Sequence, residues 1–125
     1  MDTLTLSKAT GRCEPTDLPD GRKGSWCYAQ PKLAVAGMNA DVDLYFLGTT
    51  PAAPVIEIQF QIAGCKDEKL LTWLKTNFGA PVEDRGTKVF WEKRTLYLIA
   101  ELGPRCMVRL LPSSEQAEYE RLKKT

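Results

Sequence analysis

Ile56-Glu57-Ile58-Gln59-Phe60-Gln61-Ile62 is the stretch on which the fold of this chain turns. Apolar and polar residues alternate at every step. That places Ile56, Ile58, Phe60 and Ile62 on one face of a strand and Glu57, Gln59 and Gln61 on the other. Upstream, Val42, Leu44 and Phe46 alternate in the same way with Asp41, Asp43 and Tyr45. Between the two runs lies Gly48-Thr49-Thr50-Pro51-Ala52-Ala53-Pro54, whose prolines keep it out of any sheet interior. The two strands are therefore expected to pair as a hairpin across this loop.

Downstream, the period changes. Leu70, Leu71, Leu74 and Phe78 recur at helical spacing, which predicts a helix from Asp67 to Phe78 with Gly79 as its cap and Pro81 as its stop. A second hairpin follows, with Val89-Phe90-Trp91 entering, Glu92-Lys93-Arg94 at the tip and Leu96, Leu98, Ala100 and Leu102 leaving. Val108 and Leu110, either side of Arg109, predict a last strand. Ser113 and Gln116 have capping-box spacing and open a terminal helix to Lys123, with Tyr119 and Leu122 as its main apolar contacts. That thin stripe predicts loose packing. Toward the N-terminus, Leu4-Thr5-Leu6 reads as a short edge strand. Residues 14–24 read as turn-rich, from Pro15, Pro19, Gly21 and Gly24. Ser25-Trp26-Cys27-Tyr28 resumes an extended pattern.

The expected class is α+β: an antiparallel sheet of about five to six strands, one main helix on one face and a short C-terminal helix. The 125 residues make one domain. Within it, 1–30 is a disulfide-stapled N-terminal segment, 37–111 a hairpin-helix-meander core and 113–124 the terminal helix.

Composition excludes several classes of function. With 43% apolar and 26% charged residues, the chain is that of an ordinary folded domain. A net charge of +1 argues against nucleic-acid binding, where phosphate neutralisation demands a basic excess. There is no histidine, which removes imidazole acid–base chemistry, Ser-His and Cys-His nucleophiles and nearly all standard zinc sites. No apolar run is long enough for a membrane span, although a lipid anchor on a native precursor is left open.

Cys13, Cys27, Cys65 and Cys106 are even in number, widely spaced and free of any C-x-x-C arrangement, which suits two disulfides. Of three connectivities, Cys13–Cys27 and Cys65–Cys106 is preferred. The first staples a segment with little core of its own. The second joins the ends of two expected strands. Disulfides imply an oxidising compartment, periplasmic or extracellular. The opening Met1-Asp2-Thr3-Leu4-Thr5-Leu6 is too polar for a signal peptide, so the expectation is a chain beginning after a removed one, with Met1 added. Asn39 and Asn77 lie outside N-x-Ser/Thr sequons.

No constellation points to catalysis. Asp41 and Asp43, with Glu57, place acids on strand faces that are ordinarily just solvated. Ser7-Lys8 point to opposite faces of an extended chain. Gly21-Arg22-Lys23-Gly24 lacks the spacing and context of a phosphate loop. No catalytic residue, metal or cofactor is expected.

Leu70-Leu71-Thr72-Trp73-Leu74-Lys75-Thr76-Asn77-Phe78-Gly79-Ala80-Pro81, then Trp91 and Thr95-Leu96-Tyr97-Leu98, resembles a layout found in small exported bacterial proteins. There a helix ends in Phe/Tyr-Gly-x-Pro and a tryptophan-bearing strand pairs with an apolar one. Gly37-Met38-Asn39-Ala40-Asp41-Val42 and Leu44-Tyr45-Phe46 extend the resemblance over residues 37–111. It implies a periplasmic or lipid-anchored α+β protein and carries no catalytic residue across.

The expected function is that of a non-enzymatic periplasmic or secreted module that binds another protein, as an inhibitor or immunity protein. The alternatives are an accessory subunit of an envelope or secretion assembly, its terminal helix docking on a partner, and a carboxylate-based hydrolase. The expected contact surface is the loop with Thr49, Thr50, Pro51 and Pro54, the tip at Lys93 and Arg94, and an open sheet face bearing Tyr45 and Tyr97.

Overall fold

The computed structural model describes residues 3–125; Met1, read above as an addition, and Asp2 lie outside them. Nine strands form one antiparallel sheet: β1 (Arg12–Asp17), β2 (Lys23–Tyr28), β3 (Leu33–Val35), β4 (Met38–Leu47), β5 (Val55–Ala63), β6 (Glu83–Asp84), β7 (Lys88–Glu92), β8 (Leu96–Glu101) and β9 (Arg105–Pro112). Two short helices accompany it, α1 (Asp67–Phe78) and α2 (Gln116–Lys123). The expectation of five to six strands around one main helix is thus corrected: the protein is mostly sheet. Of the additional strands, β1 and β6 are mostly polar, and β3 is apolar but only three residues long. β1, β3 and β6 carry no apolar alternation because each lies at a border of the sheet, where one side has no strand to pair with. Pro15, taken as a turn residue, sits in edge strand β1, the position in a sheet that tolerates proline.

The spatial order is β1-β2-β4-β5-β9-β8-β7-β6, with β3 paired to β4 beside β2. After β5 the chain crosses the sheet as α1 to its far edge. It then returns as the β6–β9 meander until β9 pairs with β5. This path decides what each face carries. On the near face, Leu70 and Leu74 of α1 pack over Ile62, Val89, Trp91, Leu98, Ala100 and Val108. The other half of the near face, with Val42, Leu44, Phe46 and Val55, is covered by Leu4, Leu6 and Ala9. Leu4-Thr5-Leu6, expected as a strand, makes one bridge from Thr5 to Pro54 and turns into a 3₁₀ segment, Leu6–Lys8.

On the far face, α2 covers β7, β8 and only the Leu111 end of β9. Tyr119 is fully buried against Phe90, Ile99 and Leu111, and its ring stacks on Tyr97 at 4.2 Å. The loose packing expected of this helix is corrected. One large aromatic replaces a wide stripe, and Tyr119 and Leu122 are spent on the protein's own sheet. No Ser113 side-chain cap forms; residues 113–115 instead make a 3₁₀ turn.

The Tyr119 hydroxyl donates to Glu92 Oε2 at 2.9 Å, and Lys123 Nζ lies 3.2 Å from the same oxygen. Together they hold the Glu92 carboxyl below its ordinary range, with the Tyr119 bond as the largest cause. A carboxyl whose pKa is lower in the folded than in the unfolded state stabilises the fold at neutral pH, and that stabilisation fades as pH falls through about 4.3 and below. Tyr119→Phe should therefore cost about 1 kcal/mol at pH 7 and less at pH 3. Urea midpoints of both proteins at the two pH values check this.

Cys13 and Cys27 face each other across β1 and β2 and form one disulfide; Cys65 and Cys106 form the second. Two disulfides fit an oxidising, extracellular location. Among the described residues, no helix is long and apolar enough to cross a membrane.

Candidate functional site

The α2 core cluster contains no residue of β2, β4 or β5, so the far face of those strands is left to side chains alone. Strand register settles which ones. Trp26 lies opposite Tyr45, and Tyr45 opposite Glu57; in the adjacent row Asp43 lies opposite Gln59, and Gln59 opposite Arg109. Trp26 and Tyr28, two residues apart on β2, share this face with ring centroids 4.5 Å apart. Trp26, Tyr28, Tyr45, Met107 and Arg109 are all half-buried.

A β-bulge at Tyr45/Phe46 adds one residue to β5, so that Val55 rather than Ile56 joins the near-face core. Ile56, expected beside Ile58, instead lines the far face next to Glu57. This places an apolar side chain in the floor of a cleft of about 290 Å³ that opens at one end of the uncovered face.

Three sequence-distant pieces build the cleft. Tyr45, Glu57, Gln59 and Arg109 form the floor, the 18–22 turn one wall and the start of α2 the other. The turn closes on itself through Leu18 N–H to Arg22 O at 2.9 Å and Gly21 N–H to Leu18 O at 2.9 Å. Gly24 lets it lie close, since a Cβ there would stand 2.8 Å from Leu18 Cδ2 and 2.7 Å from Phe46 O. Arg22 clamps turn to helix. Its Nη2 and Nη1 donate to Glu115 at 2.6 and 3.3 Å, across 93 residues of sequence, and Glu115 is only 7% exposed.

In the floor, Arg109 grips Glu57 through two bonds, Nε to Oε2 at 2.7 Å and Nη2 to Oε1 at 3.3 Å. Its Nη1 reaches Glu101 at 3.5 Å. Burial alone would lower the Arg109 pKa, but the two carboxylates outweigh it and hold the guanidinium above its ordinary value. Gln59 donates to Glu57 at 2.8 Å and Gln61 to Asp43 at 3.2 Å, which extends the polar network across β5 and β4. Burial, and then the negative Asp43 and Glu57, push the Tyr45 hydroxyl up, so it remains a neutral donor.

Of the surface residues named from sequence, only Tyr45 lies in this cleft. Tyr97 shares the face but sits beneath Tyr119. Thr49 borders a separate shallow groove with Lys23. Thr50, Pro51 and Pro54 belong to the loop that is tied to the N-terminal segment by Ser7 N–H to Pro51 O and by the Thr5–Pro54 bridge. Lys93 and Arg94 are exposed at the β7–β8 tip. The sequence reading missed Arg22, Glu115, Trp26 and Arg109. A signal for Arg109 existed: a charge in the middle of an otherwise apolar strand needs a partner, and Glu57 is the one it has.

Cys65, Asp67 and Cys106 have ligand atoms within 4.8 Å of one another, but both sulfurs are committed to the disulfide. No protein-family model matches the chain, and neither does any curated protein or solved structure.

Proposed function

We propose that this chain is a non-enzymatic binding module of a periplasmic or extracellular space, and that it engages another protein through the uncovered half of its far face. The observation that carries the proposal is the composition of that half: Trp26, Tyr28, Tyr45, Met107 and Arg109 on one sheet surface that, among the described residues, no helix covers. Aromatic residues, methionine and arginine are the types enriched at protein interfaces, and Trp, Tyr and Arg supply most of the binding energy there. A sheet backbone also holds them rigidly, which lowers the ordering cost of binding. The two most buried carboxylates of the cleft, Glu57 and Glu115, are each held by an arginine, an arrangement suited to fixed recognition rather than proton transfer. In this role the protein acts as an inhibitor or immunity protein, occupying its partner rather than transforming it.

Photo-crosslinking tests the proposal. A photoreactive amino acid replaces Tyr28 on the proposed surface or Thr72 on the exposed side of α1. In the envelope and medium of the source cells, position 28 is expected to trap one discrete protein and position 72 none. Equal labelling from both positions, or no adduct from position 28, would overturn the proposal.

A further inference from the structure

We infer that the cleft at the end of the uncovered face is a seat for one lysine or arginine side chain of the partner protein; this rests on the reading of that face as the binding surface. The cleft has the two chemistries such a side chain needs. Leu18, Pro19, Ile56 and Leu111 give its lining an apolar surface, on which a long methylene stem can lie. Asp20, Glu57, Glu115 and Glu118 give it carboxylates, two of them more than nine-tenths buried.

The hydrogen-bond inventory decides the sign of the occupant. Both guanidinium groups lining the cleft are already engaged: Arg22 with Glu115 and Asp20, and Arg109 with Glu57 and Glu101. An incoming carboxylate would compete with those pairs, and displacing Glu115 or Glu57 would leave a buried charge alone, which is costly. Each carboxylate has about four lone-pair positions, and those received here leave some unfilled. Glu115 accepts two bonds, both from Arg22, and Glu118 accepts two, both from Arg121. Beside the neutral Tyr45 hydroxyl and Arg22 Nε, which is ion-paired with Asp20 but makes no aligned hydrogen bond, the charged groups with vacant capacity are carboxylates next to an apolar surface. Their complement is a cationic donor on an aliphatic stem. The turn that forms one wall is anchored by the Arg22–Glu115 clamp, so the seat is formed before the partner arrives.

The probes are acetyl-lysine amide, acetyl-arginine amide, the uncharged acetyl-norleucine amide and acetyl-glutamate amide, titrated into the ¹⁵N-labelled chain with its disulfides intact. The two cations are expected to give saturable shifts at Leu18, Asp20, Tyr45, Gln59 and Glu118. Their binding should be about tenfold tighter than that of the norleucine amide, and the doubly substituted Asp20→Asn/Glu118→Gln chain should lose about that factor. Both substitutions lie outside the sheet, and unchanged sheet resonances show that the fold is kept. Glutamate or norleucine amide binding as tightly as lysine amide, or no saturable shift from either cation, would overturn the inference. If the cations fail while position 28 still traps a partner, the seat is wrong and the face stands. If position 28 also traps nothing, the reading of the face falls with it.

Discussion

Replacing Trp91 with alanine is expected to remove about 4 kcal/mol of stability, the largest loss from any single side chain in the molecule. Trp91 is fully buried in the main core cluster between the sheet and α1. It also makes a specific bond, donating its indole N–H to Gly79 O at 2.9 Å. Gly79 ends α1 with φ +81°, a conformation that favours glycine, and its own N–H returns to Lys75 O. One side chain thus fills the core and fixes where the crossover helix stops. Alanine leaves both a cavity and a carbonyl without its donor. Trp91→Phe keeps much of the packing and loses the bond, so about 2 kcal/mol is expected. With total stabilities of about 5–15 kcal/mol usual for a domain, the alanine variant should show a much lower urea midpoint with the same slope. A loss under about 1 kcal/mol would mean that the helix is not seated on this residue.

The second large effect is expected from Cys65–Cys106. Replacing both residues by alanine opens a loop of sequence separation 41 that contains α1, β6, β7 and β8, the whole crossover and most of the meander. Chain entropy gives about 4 kcal/mol, against about 3 kcal/mol for Cys13–Cys27 with its separation of 14. The two bridges differ in packing as well. Cys106 is fully buried in the α1 core, whereas Cys13 is exposed on the edge strand. Losing Cys65–Cys106 should lower Tm by about 15 °C, and losing Cys13–Cys27 should lower it by less. The reverse order would show that the N-terminal hairpin, rather than the crossover, limits stability.

Both predictions concern elements that were readable in advance. The alternation in β4 and β5 and the helical spacing of Leu70, Leu71 and Leu74 survive in the chain because burial on one face demands them. Gly79 was recognisable as a helix end and Trp91 as part of the strand entering the second hairpin, though not as a fully buried residue. What escaped was whatever burial does not demand. β1 has the exposed sequence Arg12-Cys13-Glu14-Pro15 and pairs on one side only, so no periodicity marks it as a strand. β6 is two acidic residues, Glu83 and Asp84, held by Phe90 and Val89 of β7. Ile56 changed faces because a bulge shifts the register by one, which no pattern of apolar residues announces.

The candidate site was less legible than the fold. Its floor and walls come from β4, β5, β9, the 18–22 turn and α2, and the pairs that define it, Arg22–Glu115 and Arg109–Glu57, are 93 and 52 residues apart. Opposite charges at such separations look like ordinary surface charge until strand order is known. The uncovered face has the same origin. Nothing in Gln116–Lys123 indicates that this helix spans only three strands, yet that short reach leaves Trp26, Tyr28 and Tyr45 without a helix above them.

The dissociation constant of the protein trapped from position 28, measured against Trp26→Ala and Trp73→Ala chains, tests the central claim most directly. Trp26 is half-buried on the uncovered face, and Trp73 is 37% exposed on α1, on the other side of the sheet. The account predicts binding weakened by about 30-fold or more for Trp26→Ala and unchanged for Trp73→Ala, with circular dichroism showing both chains folded. Unchanged binding for Trp26→Ala, or a loss at Trp73 instead, would contradict it.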